Sequence, residues 1–189
     1  KIQQLLHESR LVTLTGSGGV GKTRLSLKVA EAVLPEFEHG VWLVELAAVA
    51  DPALVPQTVA SVLNLREEAG PSWLATLTNY LRQKHLLLIL DNCEHLVAAC
   101  AQLTQTLLST CYELRVLASS REVLGLTGEK SFRVPSLSLP QSQQLPPASE
   151  LLKMDAVRLF VDRATASLPS FALTDKNAAS VVQICRRLD

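Results

Sequence analysis

The sequence carries no excess charge of either sign: eighteen Lys and Arg balance eighteen Asp and Glu. A segment that binds nucleic acid nonspecifically, or an acidic membrane surface, needs a basic surplus, so direct contact of either kind is not expected here. No apolar run approaches the roughly 20 residues that span a bilayer, and the N-terminal Lys1-Ile2-Gln3-Gln4-Leu5-Leu6-His7 has neither a start Met nor the apolar core of a signal peptide. The four cysteines, Cys93, Cys100, Cys111 and Cys185, form no Cys-x-x-Cys pair, and no His stands at zinc-site spacing from two of them. They read as reduced thiols packed as small apolar groups. No internal repeat of the solenoid kind is visible. The segment reads as cytoplasmic and as part of a longer chain.

What remains is rich in core-forming residues. Of 189 residues 48% are hydrophobic and only 19% charged, against a usual charged share of about 25%, which excludes a disordered tail and predicts a well-filled interior. Arg10–Thr15 reads as a buried strand that stops at Gly16-Ser17-Gly18-Gly19. From Lys22 the period becomes helical, with Leu25, Val29, Ala32 and Val33, until Pro35. Val41–Leu46 reads as a second strand. Asp51-Pro52 predicts a helix start, with the carboxylate as cap, and Pro56 is a candidate early break. Ser72 caps a helix carrying Leu74, Leu77 and Leu81. Leu86–Leu90 is apolar on both faces, as a central parallel strand covered by helices requires. Leu96, Cys100, Leu103 and Leu107 stripe the next helix; Leu114–Ser119 and Phe132–Val134 read as the fourth and fifth strands. The expected fold is therefore α/β over residues 1–135, a five-stranded, mostly parallel sheet flanked by helices. Residues 136–150, with three prolines and no basic residue, read as a linker. Residues 151–189 read as the beginning of a helical domain, cut off at its end, with two helices: one marked by Ala156, Leu159, Phe160 and Arg163-Ala164, the other capped by Thr174 and striped by Ala178, Val181, Cys185 and Leu188.

The chemistry concentrates at the end of the first strand. Gly16-Ser17-Gly18-Gly19-Val20-Gly21-Lys22-Thr23 matches the Walker A pattern G-x-x-x-x-G-K-[ST], between a predicted strand and a predicted helix. Glycines let successive backbone N–H groups point at a polyphosphate, and the helix N-terminus adds partial positive charge. Lys22 would reach the β- and γ-phosphates, and the Thr23 hydroxyl would ligate Mg²⁺. Asp91, which ends the Leu86–Leu90 strand, supplies the Walker B carboxylate for Mg²⁺. No Asn-Lys-x-Asp guanine-reading motif occurs, so ATP or ADP is the expected nucleotide.

These pieces resemble the signal-transducing P-loop ATPases of the STAND class, which include NB-ARC-type domains, and most of all those of large bacterial transcriptional regulators. The resemblance rests on residues 11–25, on Gly40–Leu46, on Leu86–Leu96 with its Asp-Asn-Cys-Glu-His, on Leu114–Glu122 with its Ala-Ser-Ser-Arg, and on Asp155–Ala164. It implies a P-loop NTPase fold and a regulatory switch driven by ATP and Mg²⁺. It also implies that Arg121 senses the γ-phosphate, with Ser120 adding a hydrogen bond, and that the partners are other domains of a parent protein and a nucleotide-dependent oligomer. Two departures stand out. Many relatives carry a second acid directly after the Mg²⁺-associated Asp, where this chain has Asn92, so turnover is expected to be slow. Glu94 is either the substitute base or a first-turn acid complementing a helix dipole. The family's Gly-Leu-Pro-Leu-type motif would follow Asp189. Two other functions stay open: a structural module that holds ADP without turnover, and a small-molecule phosphotransferase. The second would need an acceptor pocket and usually an Arg-rich lid, and neither is visible. His7, His39, His85 and His95 read as surface or cap residues, and Trp42 and Trp73 as core.

Overall fold

The computed structural model describes residues 1–66, 72–140 and 145–188. Its centre is the strand the sequence marks as apolar on both faces, β3 (Leu86–Asp91), every residue of which is buried. Side chains alternate across a strand. Leu86, Leu88 and Leu90 accordingly join one core cluster, and Leu87 and Ile89 join the other. Around β3 lie β1 (Leu11–Thr15), β2 (Val41–Glu45), β4 (Leu114–Ser120) and β5 (Lys130–Arg133). The sheet order is β2-β3-β4-β1-β5, and every pairing is parallel.

Two helical layers cover the sheet. α1 (Ile2–Glu8) and α2 (Lys22–Val33) supply Ile2, Leu6, Val29 and Val33 to one face. α3 (Val55–Val62), α4 (Trp73–Leu81) and α5 (Val97–Thr110) pack Val59, Leu77, Leu81, Leu103 and Leu107 on the other. Each fully buried Leu contributes about 1.5–3 kcal/mol, so β3 alone anchors both layers. Trp42 and Trp73 are half-buried against the second of these clusters. All four cysteines are free and buried.

Several elements differ from their sequence expectations. α1 was not anticipated; Arg115 of β4 holds it by donating to the carbonyls of Leu6 and Ser9, which satisfies acceptors left open at a helix C-terminus. The Asp51 carboxylate does accept from Ala53 N–H, at 2.9 Å, but the element it caps is a 3₁₀ turn, Pro52–Leu54, that runs into α3. Pro56 breaks nothing because it sits in the first turn of α3, where a missing N–H costs little. Ser72 caps α4 as expected from its sequence position, with Oγ accepting from Ala75 N–H.

Residues Lys1–Val134 form one compact unit and Pro135–Asp189 a second. Among the described residues the second contains α6 (Ala148–Leu151), α7 (Asp155–Ser167) and α8 (Ala178–Leu188), three helices against an expected two, and α6 begins inside the segment read as linker. Its interior is built from Leu151, Val157, Ala178, Val181, Val182 and Cys185. On α7 the inward position is Val157, fully buried, whereas Leu159 is 38% exposed. Ser138 accepts from Asp155 N–H at 2.8 Å and so caps α7 from the preceding segment. Before α8 it is Asn177, not the Thr174 hydroxyl, whose side chain orders the turn, accepting from Thr174 N–H at 2.8 Å. Linker residues 141–144, the Leu188 side chain and Asp189 lie outside what the structure describes.

Candidate nucleotide-binding site

β1 delivers the chain to the C-terminal edge of the sheet, where residues 16–21 wrap into α2. Gly16 is required by crowding: a Cβ there would lie 3.0 Å from Val20 Cγ1 and 3.3 Å from the Val134 carbonyl oxygen. Gly21 is required by conformation, since it starts α2 at φ +94°, in the left-handed region. α2 has no side-chain cap and no acid in its first turn. No cap and no acid of its own first turn therefore satisfies the first N–H groups of α2 or neutralises the positive end of its dipole, which favours an anion at that point. Beside Gly19 and Gly21 nothing lies within 4 Å of where a Cβ would be, so the loop has open space on that side.

Lys22 is only 8% exposed. Its ammonium donates to the carbonyls of Gly16 (2.9 Å) and Ser17 (3.0 Å), and no carboxylate pairs with it among the described residues. An ammonium has three donors. Two are spent on loop carbonyls, and a buried cation without a counter-ion is a standing attraction for an anion.

Thr23 and Asp91, 68 residues apart in sequence, meet: Thr23 Oγ1 donates to Asp91 Oδ2 at 2.8 Å. The other carboxylate oxygen accepts from Ser119 Oγ, and Ser119 Oγ in turn accepts from Asn92 N–H at 3.0 Å. Asp91 is 5% exposed. Hydroxyl and carboxylate oxygens are the donors a hard divalent cation takes, and two of them fit Mg²⁺, which keeps water and phosphate oxygens for its other positions. The residues present thus fit both a polyphosphate and Mg²⁺.

Ser119 was missed in the sequence. Ser120, singled out instead, is fully buried and accepts a long bond, 3.4 Å, from Glu122 N–H. Neighbouring strand residues face opposite sides, so only one of the two serines can reach Asp91. Asn92 has a backbone role: it occupies the left-handed region at φ +67°, where Asn is tolerated better than most residues.

Arg121 and Glu94 approach from two separate strand ends, with Nε 3.6 Å from Oε1. Arg121 Nη2 also lies 3.5 Å from where a Cβ on Gly18 would be, which sets the guanidinium over the loop. Glu94 Oε2 is buried without a hydrogen-bond partner. His95 is tied elsewhere, its Nε2 2.9 Å from the Val49 carbonyl.

Comparison with known proteins agrees with this geometry. The NB-ARC domain family matches residues 1–139. A candidate HTH-type transcriptional regulator of Mycobacterium tuberculosis is 42% identical over 188 residues, which is 100% of this chain and 20% of that protein. An uncharacterised protein of the same organism is 40% identical over the same length, 44% of its own. Among solved structures, Cdc6p of Pyrobaculum aerophilum superposes with a TM-score of 0.58 at 18% identity, covering 87% of this chain and 48% of that one; at that identity the likeness concerns the fold alone. The chain thus spans about a fifth of the regulator's length. With its Walker A pattern at residues 16–23, its Asp91–Thr23 contact and a family match over nearly three quarters of its residues, the chain belongs to the NB-ARC domain family.

Proposed function

We propose that this chain is an ATP- and Mg²⁺-binding switch module of a larger regulatory protein, with slow hydrolysis returning it to an ADP state. The observation that carries the reading is convergence. Lys22 and Thr23 of the loop, Asp91 at 68 residues' distance and Arg121 beyond β4 come to one edge of the sheet. That edge, outside the carboxyl ends of parallel strands, is where α/β folds bind nucleotides.

In this reading the backbone of Gly16–Thr23 holds the β- and γ-phosphates, Lys22 neutralises them, and Arg121 contacts the terminal one. Thr23 and Asp91 hold Mg²⁺, which when bound supplies charge neutralisation of the phosphates. Hydrolysis joins a water oxygen to the γ-phosphorus and breaks its bond to the bridging oxygen. The electron pair leaves with ADP, and Glu94 is the carboxylate nearest Arg121 to take the water's proton. The absence of an acid at Asn92 supports slow turnover, and it also sustains a second reading, a module that holds ADP as a structural element.

The relative's regulator name supports a role in transcription control for a parent protein, with further domains and a nucleotide-dependent oligomer as partners. The buried free thiols suit the cytoplasm. Among the described residues no helix is long and apolar enough to cross a membrane.

The test is to load the chain with Mg²⁺·ATP, follow phosphate release, and compare protease cleavage between residues 135 and 147 in the ATP and ADP states. A switch gives slow release and state-dependent cleavage. Retained ADP, no release and identical cleavage would establish the structural reading instead.

A further inference from the structure

Arg121 stands between two anion positions. On one side is Glu94, with Oε1 3.6 Å from Nε; on the other is the phosphate loop, with Nη2 3.5 Å from the Cβ position of Gly18. Nε–H and the adjacent Nη2–H form one edge of the guanidinium fork, the edge that grips a carboxylate or a phosphate with two parallel bonds. Both anions therefore contend for the same edge. The pair is also unequal. The Arg121 side chain is 69% exposed and free to swing, whereas that of Glu94 is 18% exposed and its Oε2 has no partner. A half-buried carboxylate with an unpartnered oxygen gains by keeping a cation beside it.

We propose that Glu94, beyond taking the water's proton, competes with the terminal phosphate for Arg121 and thereby sets the preference between nucleoside triphosphate and diphosphate. A triphosphate must draw Arg121 away from Glu94, and that cost is charged against its affinity. A diphosphate leaves the pair intact. The proposal rests on the nucleotide-binding reading above and adds to it the residue that tunes discrimination.

The experiment is a four-protein titration of the 189-residue chain: wild type, Glu94→Gln, Arg121→Ala and the double variant, each with Mg²⁺·ADP and with a slowly hydrolysed Mg²⁺·ATP analogue. Glu94→Gln should tighten the triphosphate by about three- to fivefold, the range an ion pair of this exposure supports, with ADP affinity unchanged within about twofold. In the Arg121→Ala background the same substitution should leave the triphosphate-to-diphosphate ratio unaltered, since there is no cation left to contest. An unchanged ratio in Glu94→Gln overturns the proposal. So does an equal gain in both backgrounds, which would make Glu94 a source of plain repulsion rather than a competitor. If the wild-type chain binds neither nucleotide, the nucleotide-binding reading falls and takes this proposal with it; if it binds both and the ratio does not move, only this proposal falls.

Discussion

Replacing Ser119 with alanine removes one oxygen that serves two buried groups at once. Ser119 is 1% exposed; its hydroxyl donates to Asp91 Oδ1 and accepts from Asn92 N–H at 3.0 Å. Without it, a carboxylate that is 5% exposed loses a charge-assisted bond, and the amide of a left-handed residue loses its acceptor. A hydrogen bond to a charged group is worth about 1.5–3 kcal/mol, and a buried amide left unpaired costs about 1–3 kcal/mol. Both losses act through the same atom and are not additive, so about 3 kcal/mol of destabilisation is expected. For a chain of this size, at about 2–4 °C per kcal/mol, the midpoint of thermal unfolding should fall by about 9 °C. Circular dichroism on heating reads this directly. Ser120→Ala is the control, because among the described residues its hydroxyl makes only the 3.4 Å contact with Glu122 N–H; its cost should stay below about 1 kcal/mol. A midpoint for Ser119→Ala within about 2 °C of wild type, or no lower than that of Ser120→Ala, would refute the assignment of Ser119 as the group that fixes Asp91.

Two further outcomes follow from the same geometry. Thr23→Ala removes the hydroxyl that bonds Asp91 at 2.8 Å; nucleotide affinity measured with and without Mg²⁺ should lose most of its metal dependence while affinity in EDTA changes little. Two of the thiols should be inert in the folded chain, because burial pushes Cys111 and Cys185 up. A group whose folded pKa lies above its unfolded value keeps its contribution below the unfolded pKa, near 8.5, and loses it as pH rises further. Through these two groups stability should fall above about pH 8.5, which urea titrations at pH 7.5 and 9.5 would reveal, and a thiol reagent should label Cys111 and Cys185 only on unfolding.

The contrast between what was legible in the sequence and what was not has physical causes. β3 was readable because Leu86–Leu90 leaves no polar face, and the strand, glycine loop and helix of residues 11–33 because glycines mark the change of period. α1 was not, since seven residues with two buried apolar side chains make a weak pattern, and the arginine that holds it arrives from β4, more than a hundred residues later. The choice between Ser119 and Ser120 depends on the register of β4 against β3, which pairs Ala118 with Leu90 and so sets the next residue, Ser119, beside Asp91. Composition is silent on that. Asn92 stands where many relatives carry an acid, and its second part, a left-handed residue whose N–H is bound to Ser119, shows only in the fold. On α7 the buried position fell on Val157 rather than Leu159 because the two differ by half a helical turn, and only the packing partners on α8 decide between them.

The central claim is that residues 16–23 bind a nucleotide polyphosphate, and calorimetric titration of Mg²⁺·ATP into the wild-type chain and Lys22→Ala tests it most directly. Lys22 spends two donors on loop carbonyls and pairs with no carboxylate among the described residues, so its loss should cost binding far more than stability. Saturable one-to-one binding to the wild type is expected, with a loss of at least about 100-fold, some 2.7 kcal/mol, in the variant and thermal unfolding nearly unchanged. Equal affinity in the two proteins, or no binding by a folded wild-type chain, would contradict the claim.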